Sequence, residues 1–186
     1  MLAYHGSAIT GLRELQPFAR PDANLPYPCV YLATHQALAA LYIWDKPYKW
    51  LNFSFAQDGG LVYTESFPGA LNEFYGGLAG SIYTCEGEFE YDENARIRMA
   101  MISRVPVHVA QEERVPNALA RILQHEREGL LEVRRYETLT AAQLAAEERM
   151  IFAAAKRERS PAMQAFMQEK FPAIWEQANI AKGEPL

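Results

Sequence analysis

The chain has 186 residues, of which 49% are apolar, with 23 acidic against 18 basic residues and a net charge of −5. That apolar share excludes global disorder and is enough for one core of ordinary size with a helical extension. The acidic balance, with Lys and Arg scattered along the chain, argues against DNA or another nucleic acid as partner.

Cys29 and Cys85 belong to no CxxC pair and read as buried thiols of a reducing compartment. No stretch approaches the roughly 18 consecutive apolar residues of a membrane span. Met1 to His5 carries no basic-then-apolar leader. The expectation is a cytoplasmic protein with no membrane partner.

In chain order, residues 2–5 read as a strand ending at His5-Gly6. Ile9, Leu12 and Leu15 recur at threes and predict a brief helical turn over 8–15. Prolines at 17, 21, 26 and 28 make 16–28 a loop. Residues 29–33 form a β-prone run, and Thr34 is the expected N-cap of a helix over 35–44, which Pro47 ends. The texture then turns to β: strands are expected at 49–55, 61–64, 81–84, 97–103 and 105–109. A short helix from Pro68 to Tyr75 interrupts them, and Pro106 suggests an edge or a bulge. After Pro116 come a helix over 117–128 stopped by Gly129 and a strand over 130–136. A helix over 140–158, begun at Thr138 or Thr140, and a last helix from Ser160-Pro161 to about Asn179 complete the reading. The fold class is α+β, with a domain over 1–136 and a helical C-terminal extension over 137–186.

The chemistry lies in the first forty-two residues. A strand delivers His5, then Gly6-Ser7, where glycine allows close approach of a ligand to the backbone. A second strand carries Tyr31, and the helix after it brings Tyr42 back toward that strand. Two aromatic rings and a glycine backbone edge around one slot suit a flat amide-bearing ring such as nicotinamide.

The ordered segments Tyr4-His5-Gly6-Ser7, Val30-Tyr31-Leu32-Ala33-Thr34 and Ala40-Leu41-Tyr42 resemble the His–Tyr–Tyr–Glu branch of the ADP-ribosyltransferase-like superfamily. This is the branch of diphtheria toxin and the poly-ADP-ribose polymerases. The spacing of eleven between Tyr31 and Tyr42 matches the toxin-type pattern. The resemblance covers roughly residues 2–45 and implies the split antiparallel β-sheet of that superfamily. It implies NAD as substrate, with His5 on the adenosine-side ribose, Gly6 and Ser7 on the carboxamide, and Tyr31 and Tyr42 sandwiching the nicotinamide ring. Catalysis in the family needs His5, Tyr42 and a late-strand Glu that stabilises the oxocarbenium-like charge.

The strand expected before the 117–128 helix, Arg104 to Val109, holds no Glu. Glu112 and Glu113 follow it, and Glu86, Glu88 and Glu90 follow an earlier strand. Glu112 is the first choice for the carboxylate. Three functional expectations stay open: mono-ADP-ribosyl transfer to an unidentified acceptor such as a protein, a catalytically degenerate nucleotide- or partner-binding module, and RNA 2′-phosphotransferase-like activity.

Plainer readings stand beside these. His5 suits an ordinary strand end, Tyr31 and Tyr42 suit core aromatics, and Ser7 suits a helix cap for 8–15. Glu86, Glu88 and Glu90 suit one solvated strand face. His35, His108 and His125 pair with no Cys, Asp or second His at metal-ligand spacing, so no metal is expected.

Overall fold

A computed structural model describes residues 1–19, 25–91, 99–157 and 160–182. It is a mixed α+β structure, with an antiparallel sheet and several helices. The chain divides into two compact units. The first holds Met1–Asp45, Phe53–Tyr63 and Leu71–Glu132; the second holds Lys46–Asn52, Thr64–Ala70 and Val133–Leu186. The second unit therefore takes two earlier segments as well as the C-terminal helices.

The first unit is built on a six-stranded sheet. Its strands are β1 (Leu2–Ser7), β2 (Glu14–Leu15), β3 (Val30–Ala33), β6 (Gly80–Glu86), β7 (Ala100–Ser103) and β8 (Val107–Val115), in the order β2-β8-β6-β1-β3-β7. A hairpin of β4 (Phe53–Phe55) and β5 (Leu61–Thr64) lies apart from that sheet, with Phe53 opposite Tyr63. Its described residues include the helices α1 (Gln36–Leu41), α2 (Ala70–Tyr75) and α3 (Ala118–Arg127). Period-two alternation sorts the sheet's two faces. One face buries Ala3, Val30, Leu32, Tyr83, Cys85, Val107 and Val109 in a common cluster. The other lies against α1, because a Cβ on Gly6 would stand 1.8 Å from the Ala39 carbonyl oxygen.

Several local expectations need correction. The helix after β3 is capped by His35, whose Nδ1 accepts from the Ala37 N–H, one residue later than Thr34. No helix forms over 8–15. Ser7 Oγ accepts from the Ile9 N–H, which closes a local turn, and the chain then enters the two-residue β2. The strand expected to stop at Val109 runs on to Val115. The strand over 49–55 shrinks to Phe53–Phe55, and the one over 130–136 to β9 (Glu132–Arg134), followed by a 3₁₀ turn over Tyr136–Thr138. Residues 20–24 of the expected loop, 97–98 of the strand expected over 97–103, and 158 of the helix expected over 140–158 lie outside the described residues.

The second unit carries α4 (Ala141–Arg157), α5 (Pro161–Lys170) and α6 (Pro172–Lys182). Thr140 opens α4 by a reciprocal cap: its Oγ1 accepts from the Gln143 N–H while Gln143 Oε1 accepts from the Thr140 N–H. Ser160 caps α5, with Pro161 at its first turn. Pro172, which has no N–H to continue the ladder, breaks the expected single last helix into α5 and α6. Phe166 anchors this unit's core, its ring centroid 4.7 Å from that of Tyr48, 5.4 Å from Trp50 and 5.8 Å from Phe171. Among the described residues, no helix is long and apolar enough to cross a membrane.

Candidate functional site

β1 presents the first candidate residues. The amino group of Met1 donates to the Gly87 carbonyl at 2.7 Å, and the Gly87 N–H donates back to Met1 at 3.1 Å. The register between β1 and β6 keeps this phase through Ala3↔Cys85, His5↔Tyr83 and Ser7↔Ser81. In an antiparallel ladder, alternate residues turn both backbone groups to the same neighbour. Odd residues of β1 therefore bond to β6, and Leu2, Tyr4 and Gly6 turn toward β3. There the β1–β3 ladder holds only Tyr4↔Ala33 among the described residues, against six paired positions between β1 and β6. The Gly6 N–H and C=O thus face β3, beyond the one pair of that ladder among the described residues.

His5 adds a side-chain link from β1 to β3. Its Nδ1–H donates to the Tyr31 carbonyl at 2.9 Å. A carbonyl accepts only, so Nδ1 carries a proton.

The same registers place His5 opposite Tyr83, and Tyr83 opposite Glu112. Strand partners project from the same face, so His5, Tyr83 and Glu112 form one row across β1, β6 and β8. The His5 and Tyr83 rings stand 6.5 Å apart. A bulge makes this possible. Cys85 pairs with Val109 but Thr84 with Gln111, leaving Ala110 as the extra residue. The strand's phase shifts there, and Glu112 projects on the face that Val107 and Val109 occupy.

Glu112 is held firmly. Its Oε1 accepts from the Ser81 hydroxyl at 2.6 Å, from the Gly11 N–H at 2.8 Å and from Arg114 Nε at 2.9 Å, with the Tyr83 hydroxyl at 3.4 Å. The Ser81 and Gly11 hydrogen bonds, with the Arg114 guanidinium, hold the carboxyl below its ordinary pKa. The side chain is 21% exposed, so an ionised carboxylate stands at an accessible edge of the face.

The two tyrosines sit elsewhere. Continuing the β1–β3 register sets Tyr31 beside Gly6 rather than beside His5, on the face that α1 covers. It packs with Leu25, Cys29 and Ile102, and burial, then the neighbouring Cys29, push its phenol up to about 12. Tyr42 is the C-cap of α1, and its ring meets Phe53 edge-on at 6.1 Å. A buried hydrogen bond from the Tyr75 hydroxyl to the Leu41 carbonyl, 2.8 Å long, fixes that end of α1. His5 and Glu112 are brought to one face; Tyr31 and Tyr42 pack into different neighbours on the α1 side. Ser7 spends its hydroxyl on the Ile9 turn.

Sequence reasoning missed Tyr83, Ser81 and Arg114. Tyr83 and Ser81 read as ordinary β-strand residues, and only cross-strand register shows what they face. Glu113, the neighbour of Glu112, points to the opposite face and pairs with Arg121 at 3.1 Å, which also reaches Gln36 Oε1 at 3.1 Å. Glu113 thereby ties β8 to α3 and α1. Glu86, Glu88 and Glu90 are exposed. β6 ends at Glu86, and Glu90 bridges Ile102 of β7.

The chain matches no protein-family model, no curated protein and no solved structure.

Proposed function

We propose that this chain is an NAD-binding, mono-ADP-ribosyltransferase-like protein acting on an unidentified acceptor. The observation that carries the reading is the row His5–Tyr83–Glu112 beside a glycine backbone edge turned toward β3. In this reading the sheet is the split sheet of the superfamily, and β8 is the late strand that supplies the carboxylate. His5 orients the adenosine-side ribose, while the Gly6 N–H and C=O hold the carboxamide. Tyr31 and Tyr42, packed on the α1 side of the sheet, are given no contact with the nicotinamide ring in this reading.

The chemistry is cleavage of the bond between ribose C1′ and the nicotinamide nitrogen. The bonding pair leaves with nicotinamide, which becomes neutral, and positive charge develops on the ribose. An ionised Glu112 opposite that charge stabilises it electrostatically, without forming a bond. An acceptor nucleophile then attaches at C1′ and releases its proton; with water in its place the product is ADP-ribose.

One feature favours a second reading, that of a non-catalytic NAD reader. Arg114 already neutralises the carboxylate, which weakens its use toward a developing cation. Incubation with NAD followed by chromatography for free nicotinamide separates the two. The transferase reading expects release that falls by about 10²–10³-fold in Glu112→Gln, the scale of losing one preorganised electrostatic group, and that is lost in His5→Ala. Calorimetric binding of NAD without turnover supports the reader. Absence of NAD binding overturns both.

A further inference from the structure

We propose that Tyr83 is a positioning residue for Glu112, acting by holding the segment 8–12 over the carboxylate. The inference rests on reading Glu112 as the carboxylate of the NAD site. Tyr83 is fully buried on β6, between His5 and Glu112. Its hydroxyl donates to the Ile9 carbonyl at 2.8 Å and accepts from the Leu12 N–H at 3.2 Å. One phenol thus grips both ends of the segment. Between those ends, Gly11 adopts a left-handed φ of 79° and donates its N–H to Glu112 Oε1 at 2.8 Å.

The phenol has a single proton, and the shorter contact to Ile9 engages it. At 3.4 Å the hydroxyl is a weak donor to Glu112 itself. Its main effect on the carboxylate is indirect. It fixes the height and orientation of the segment, and the segment supplies the Gly11 donor. Ser81 and Arg114 bind the same oxygen, whereas the hydrogen bonds to the Ile9 carbonyl and the Leu12 N–H come from the Tyr83 hydroxyl. Removing the hydroxyl leaves the Ile9 carbonyl and the Leu12 N–H without this partner, loosens Gly11, and lets the carboxylate turn away from the row.

Tyr83→Phe keeps the ring and deletes only the hydroxyl. The expected result is a rise in the Glu112 pKa, read by carbon-13 carboxyl titration, with Gly11 and Leu12 amide exchange about ten-fold faster. Nicotinamide release should lose about ten-fold in kcat, with KM for NAD changed less than about two-fold. Unchanged titration and exchange in a folded variant overturn the proposal. Should Tyr83→Phe not fold, Glu112→Ala decides. Faster exchange at Gly11 with Leu12 still protected shows the hydroxyl holding the segment by itself, and equal loss of protection at both overturns it. If the wild-type protein releases no nicotinamide, the enzymatic reading fails, while titration and exchange still decide the role of Tyr83.

Discussion

Ser81 and Glu112 join β6 to β8 through a 2.6 Å hydrogen bond in which the buried serine hydroxyl donates to Oε1. It is the strongest influence holding the Glu112 carboxyl below its ordinary pKa, ahead of the Gly11 N–H. A carboxyl whose folded pKa is depressed contributes stability above its unfolded pKa, about 4.3, and loses that contribution as pH falls through the folded value. Ser81→Ala should therefore raise the Glu112 pKa and move the acid limb of any Glu112-dependent activity upward. Carbon-13 titration of the two proteins checks this. An unshifted Glu112 would show that Gly11 and Arg114 suffice.

Gly6 is demanded by space. A Cβ there would stand 1.8 Å from the Ala39 carbonyl oxygen and 2.8 Å from its carbon, both backbone atoms that cannot swing aside. Gly6→Ala must push α1 off the sheet, at a cost of roughly 1–3 kcal/mol, and must misplace the Tyr42 end of that helix. The urea midpoint should fall and NAD binding should weaken together. A midpoint equal to wild type would contradict the close approach of α1 to β1.

His125 on α3 is 1% exposed, with neither ring nitrogen hydrogen-bonded. Glu128 Oε2 lies 3.5 Å from Nδ1, while Arg121 and the α1 cap His35 bear on the ring as like charges. Burial first, then Arg121, lower its pKa. A depressed base binds fewer protons folded than unfolded, so the protein should lose stability as pH falls below about 6.5, the unfolded value. His125→Leu should flatten that part of the melting-temperature profile. An identical slope in the variant would place the acid sensitivity elsewhere.

Legibility in the sequence followed local physics. β1, β3, β5 and α3 were readable because short apolar runs and the Pro116 and Gly129 bounds of the helix are written in adjacent residues. β8 was half read. Val107 and Val109 keep period two, Ala110 breaks it, and the charged run Glu112-Glu113-Arg114 then looks like a loop. The broken phase is the bulge, and the bulge is what brings Glu112 onto the face of His5. Thr34 gave way to His35 as cap because an imidazole nitrogen can accept as a hydroxyl does. The facing of Tyr83 and Ser81 toward Glu112 depends on register between distant strands, which no local window contains.

Glu147 on α4, in the second unit, offers a test independent of the proposed NAD site. Its Oε2 accepts from Asn52 Nδ2 at 2.7 Å and lies 3.4 Å from Ser66 Oγ, which also accepts from Trp50 Nε1 at 3.1 Å. Burial raises its pKa, and the Asn52 and Ser66 hydrogen bonds offset this only in part. A carboxyl with a raised folded pKa costs stability as pH climbs above about 4.3, because the unfolded chain releases the proton first. Glu147→Gln keeps an oxygen for Asn52 and removes the buried charge. Its urea midpoint should exceed that of wild type at pH 7, and the advantage should shrink at pH 4. A variant less stable at pH 7 would mean that the charge strengthens the Asn52 and Ser66 bonds by more than burial costs it.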